Sequence, residues 1–185
     1  MKTSSQDLLV TDLRGEVFED ARDSIEGCQR LGLLSRADHI VIIVDGAKLN
    51  RPDARHEVCI EAETLLRSFL DSGMLGNRAL IEIVFSKWDL IEDNPQGQQA
   101  ASRAEERLMR LYGQQVERLE FTRIAARPTP ASGLELGHGV EVLFKRWVEH
   151  GSPAPRYVQY ERQEPESGCD FDHFQWRRFV VQGAD

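Results

Sequence analysis

Two apolar runs that end in polar, acidic signatures constrain this chain more than anything else in it. Leu8-Leu9-Val10 leads into Asp12-Leu13-Arg14-Gly15, and Ile81-Glu82-Ile83-Val84-Phe85 leads into Ser86-Lys87-Trp88-Asp89. A short apolar run stopped by turn-forming and charged residues reads as a strand that wants cover on both faces, the habit of parallel sheets. In open parallel sheets ligands gather at the carboxyl ends of the strands, so these acidic residues stand where chemistry is done.

The rest of the chain supplies the alternation that such a sheet needs. A strand over residues 8–11 is followed by Val17, Ala21, Ile25, Cys28 and Leu31 at helical spacing. The run from His39 to Val44 is β-branched and stops at Asp45-Gly46, which reads as a turn. Between Pro52 and Gly73, Val58, Ala62, Leu65, Leu66, Phe69 and Leu70 form one helical stripe. After the strand over residues 80–85, a Gln-rich connection at residues 94–99 opens into a helix carrying Ala104, Leu108, Leu111 and Leu119. A short strand over residues 119–125 exits through Ala125-Ala126-Arg127-Pro128, and a last helix spans residues 140–149. This order predicts an α/β fold, a three-layer parallel sheet with helices on both faces. Residues 1–150 read as one domain. Residues 151–185, with Phe171, Phe174, Trp176 and Phe179, read as a C-terminal tail docked on it.

Composition narrows the function classes. A chain of 185 residues suffices for one well-filled core. Its formal net charge of -8 argues against a nucleic-acid partner, which needs a broad basic face. Cys28, Cys59 and Cys169 are too scattered for a zinc site or a disulfide framework, and the five histidines have no metal-ligand spacing. With no signal-peptide core and no apolar stretch near the roughly 20 residues that span a bilayer, the expectation is a cytoplasmic protein with no membrane partner.

Taken in order, the strand-end motifs resemble the third, fourth and fifth signatures of the P-loop GTPase superfamily. The phrases Thr11-Asp12-Leu13-Arg14-Gly15-Glu16, Arg36-Ala37-Asp38-His39, Val44-Asp45-Gly46 and Phe85-Ser86-Lys87-Trp88-Asp89 look most like the bacterial double-GTPase group, a Ras-like branch of the translation-factor-related GTPases. The likeness runs from about residue 7 to residue 149. It implies GTP or GDP with Mg2+ as ligand, and GTP hydrolysis used as a switch as the parent activity. It also implies roles: Asp12 toward the magnesium ion, Gly15 toward the terminal phosphate, and Glu16 at the position that often orients the attacking water. Ser86, Lys87 and Asp89 would face the guanine, with Asp89 accepting two hydrogen bonds from its edge. Ala125 and Ala126 would bring a backbone amide to the guanine carbonyl.

Three departures from that pattern shape the expectation. No Gly-x-x-x-x-Gly-Lys-Ser/Thr occurs in the sequence, Glu16 brings a negative charge near a terminal phosphate, and Ser86 replaces Asn or Thr. The resemblance therefore describes an incomplete GTPase-like fold, in which the strand before the phosphate loop is missing from the middle of the sheet. Pairing of the first strand with the His39 strand would close that gap, and binding by this chain would be weak or absent without a phosphate loop. The competing reading is a nucleotide-free interaction module that takes a protein partner or forms a homodimer, with the aromatic tail as its anchor. A third, an unrelated flavodoxin-like or receiver-like domain, accounts for the alternation and leaves the Ser-Lys-Trp-Asp placement to coincidence.

Overall fold

The apolar runs at residues 39–45 and 80–86 are strands β1 (His39–Asp45) and β2 (Leu80–Ser86), and a third strand, β3, spans Arg118–Arg123. The structure, a computed structural model, describes residues 10–11, 15–75 and 79–149. The predicted strand over residues 8–11 falls largely outside them, as do Asp12 and the tail at 151–185; Val10 and Thr11 carry no regular structure. Among the described residues the strands form one parallel sheet in the order β1-β2-β3. Ile42 stands opposite Ile83, and Ile83 opposite Phe121. The fold is thus α/β, a parallel sheet flanked by helices.

Leu80 to Phe85 are all buried, as expected of a strand paired on both sides and covered on both faces. β1 alternates instead: Ile40, Ile42 and Val44 are buried, while Ile43 on the opposite face is exposed. The main core gathers on the first of these faces. There Ile40, Ile42, Val44, Ile81, Ile83 and Phe85 meet side chains from helices α3 (Gly46–Asn50), α4 (Arg55–Asp71) and α5 (Pro95–Tyr112). Leu49, Leu66, Phe69, Ala101 and Leu108 are the principal contributions of those helices. Each large side chain buried this way contributes roughly 1.5–3 kcal/mol relative to exposure.

Several local expectations are corrected. The stripe from Val17 to Leu31 is divided into α1 (Gly15–Asp23) and α2 (Ile25–Arg30). Ser24 adopts an extended conformation between them, and its hydroxyl accepts the Gly27 amide at 2.9 Å, so a capping residue overrides the periodicity. The Gln-rich stretch is the first turn of α5, with Asn94 accepting the Gln96 and Gly97 amides and Pro95 at the first helical position. Gly113 then ends the helix, and Leu119 belongs to β3. Asp45-Gly46 forms no simple turn: the Asp45 carboxylate accepts the Ala47 amide at 2.9 Å and starts α3. Helix α6 (Val140–Glu149) lies where the sequence placed it. Among the described residues no helix is long and apolar enough to cross a membrane.

Candidate functional site

The carboxyl ends of the strands converge because Gly46 lets them. A Cβ on Gly46 would lie 2.1 Å from the Ser86 carbonyl and 2.9 Å from that of Lys87, so only glycine allows β1 and β2 to exit side by side. Ser86 donates its hydroxyl to the Val44 carbonyl at 3.3 Å, a second tie between the two exits.

Lys87 is the one described non-glycine residue with positive φ, at 49° with ψ at 42°. A left-handed conformation is unfavourable for a residue with a Cβ and persists only where the surroundings determine it. Here they do. The next amide, Trp88 N–H, is held by the Ile124 carbonyl at 2.9 Å, and the Lys87 ammonium reaches the Asp45 carboxylate at 3.0 Å. Burial pushes the Asp45 carboxyl up, but the Ala47 amide and the Lys87 ammonium outweigh it and hold it below the usual aspartate range. Trp88 turns inward, edge-on to Phe85 with ring centroids 6.4 Å apart, and the Arg123 guanidinium lies 5.0 Å from its ring centre.

Asp89 follows in the one-turn helix Trp88–Leu90, and its carboxylate accepts the Thr129 amide at 3.0 Å. That bond ties the β2 exit to the loop after β3. Within this loop Ala125 is buried, its amide donating to the His138 carbonyl at 3.0 Å, while the Ala126 carbonyl accepts the Gly137 amide at 3.2 Å. Ala126 itself is exposed, and its amide has no partner among the described residues. Gly139, at φ 75°, closes the loop; a Cβ there would lie 2.1 Å from the Arg123 carbonyl.

The structure therefore brings Ser86, Lys87, Asp89, Ala125 and Ala126 into one loop cluster. Gly15 and Glu16 open α1, which packs on α2 and α4, and no hydrogen bond or ion pair joins them to that cluster. Glu16 is exposed in the first turn, where a negative charge suits the helix dipole. Asp12 lies outside the described residues, among which no group of three metal-ligating side chains occurs. A shallow hollow lined by Arg22, Asp53, His56, Glu57, Ile60 and Glu61, with Thr64, takes no residue from the strand exits; its mixed, exposed charges offer no convergent polar set.

Three further residues tie these loops together. Asp45 is the partner of Lys87, Thr129 supplies the amide held by Asp89, and Asn50 accepts from the Asn94 side chain, linking α3 to the start of α5. Only Asp45, an acid at a strand end, carried a signal.

The family model described as Double-GTPase 2 matches residues 1–148. The chain belongs to the double-GTPase 2 family. No curated protein and no solved structure matches it. Membership makes the domain GTPase-related, in keeping with the parallel sheet flanked by helices.

Proposed function

We propose that this double-GTPase 2 domain recognises the base of a guanine nucleotide at the exits of β2 and β3. What supports the reading above all is the pairing of an acceptor with a donor in one loop cluster: the Asp89 carboxylate, fixed by the Thr129 amide, and the Ala126 amide, which has no partner among the described residues. A guanine edge offers N–H donors to a carboxylate and a carbonyl to an amide. An adenine edge offers the reverse at the carbonyl position, and a site built on such hydrogen bonds discriminates strongly. Ser86 and Ala125 hold the two loops in place. Lys87, braced by Asp45, extends its apolar stem beside them, where the family pattern sets it against the base.

The phosphate side is carried by Asp12 for the Mg2+ shell, Gly15 for the terminal phosphate and Glu16 at the water-orienting position. Magnesium would supply charge neutralisation to the transferring phosphoryl group. With no phosphate loop in the 185 residues, the proposed binding is weak and rests on the base; hydrolysis as a switch belongs to the domain with that loop supplied. A nucleotide-free interaction module is the second reading, favoured by the exposure of Ile43, Phe144 and Val148.

Titration with a fluorescent guanine nucleotide in the presence of Mg2+ tests the proposal. We expect weak saturable binding that an adenine nucleotide does not compete. Asp89→Asn should weaken it at least tenfold and shift preference toward a xanthine nucleotide, whose ring carbonyl matches the amide donor of Asn. Binding indifferent to Asp89→Asn would sink the base assignment, and no binding at all would favour the second reading.

A further inference from the structure

The carboxylate of Glu82 is fully buried in β2, between Ile81 and Ile83. It is held by three groups from two other elements. Thr122 of β3 donates its hydroxyl to Oε1 at 2.6 Å, the Arg146 guanidinium of α6 donates to the same oxygen, and the Trp147 indole N–H donates to Oε2 at 3.0 Å. Arg146 also donates to the Thr122 hydroxyl oxygen at 2.8 Å. A buried charge pair costs desolvation that its attraction scarcely repays, so an apolar residue would serve bare stability as well. What the pair adds is direction: α6 can satisfy the carboxylate at one position along the sheet and no other.

That position reaches the candidate site. Glu82 lies on the strand that delivers Lys87 and Asp89, and Thr122 on the strand that delivers Ala125. Helix α6 begins directly after Gly137, His138 and Gly139, and the first two of these hold Ala126 and Ala125 through the backbone. We propose that Glu82 is a positioning residue, which through Trp147 and Arg146 sets α6 and so fixes where the Ala126 amide stands relative to Asp89. This rests on the guanine-site reading for its consequence, though not for its geometry.

Trp147→Phe is the gentlest test, since it removes the indole N–H and leaves a smaller aromatic ring beside Phe144, which the indole meets with centroids 5.1 Å apart. In the nucleotide-free chain, the Ala125 and Gly137 amides should exchange hydrogen about fivefold faster, the loss of one hydrogen bond, while amides of β1 and α4 keep wild-type rates. Glu82→Gln should act in the same direction and more strongly. For nucleotide recognition the readout is the ratio of affinities for guanosine and 6-thioguanosine diphosphates, in which a larger and weaker sulfur acceptor replaces the oxygen that meets Ala126. Trp147→Phe should lower that ratio toward one. Wild-type protection at Ala125 and Gly137, or equal acceleration throughout the sheet, overturns the positioning role. An unchanged ratio in a chain that binds both nucleotides overturns it also. Failure of the wild-type chain to bind guanine nucleotide refutes the guanine reading alone, because the exchange result stands without it.

Discussion

On one face of the sheet Ile40, Ile42, Ile81 and Ile83 pack against α3, α4 and α5, whereas on the other, one residue along from Ile83, Glu82 is gripped by Thr122, Arg146 and Trp147. Both positions are fully buried, and the physics that holds them differs. Apolar packing is non-directional: a helix on that face can slide by a fraction of an ångström and lose little. A hydrogen-bonded carboxylate tolerates no such movement, since every misplaced donor leaves a buried polar group unsatisfied. The lesson is that the face made for cohesion and the face made for placement are distinct in this domain, and the loop cluster at the strand exits draws on the second.

Substituting the two neighbours in turn separates the two faces. Glu82→Ala leaves a cavity and takes one acceptor from Thr122, Arg146 and Trp147 together, and should cost about 3–5 kcal/mol in urea unfolding. Replacing the pair together, Glu82→Leu with Arg146→Met, should recover most of it. Ile83→Ala should cost about 2–5 kcal/mol with no second-site partner able to restore it, because the loss there is a cavity. Equal rescue at both positions would erase the distinction.

A smaller effect is expected at the loop itself. Gly139→Ala forces a side chain into positive φ and against the Arg123 carbonyl, and should destabilise by about 1–3 kcal/mol, visible as a lowered Tm. The smallest belongs to the Asp45–Lys87 pair. Because its folded carboxyl is held below the ordinary range, Asp45 adds stability that is fully present above about pH 4 and is lost as pH falls through the depressed value. For a pair this exposed the amount is no more than about 0.5 kcal/mol and shrinks with salt. Comparing Asp45→Asn with the parent chain across pH 2–6 should show the two curves converging at the acid end.

Much of this architecture is legible in the residues. Continuous apolar runs announce β1 and β2, the stripe through Val58, Ala62, Leu66 and Phe69 announces α4, and Ser86 to Asp89 announce the exit of β2. Apart from Leu119, which lies beyond the helix end at Gly113, the misreadings share one cause. Ser24, Asp45 and Asn94 each bond a backbone amide two or three residues ahead, and such capping redraws an element's boundary without altering its apolar period. Thr129 was silent because what it contributes is its backbone amide, which every non-proline residue possesses.

Periodicity and residue type act locally, so the class of fold, the order of the motifs and the chemistry available at the strand ends can be read along the chain. Which acid meets which donor depends on the packed molecule. It joins Lys87 to Asp45 across 42 positions, Asp89 to Thr129 across 40, and Glu82 to Trp147 across 65. A hydrogen bond depends on ångströms between atoms, and that distance is set by how the helices settle on the sheet, not by how far apart the residues lie in the chain.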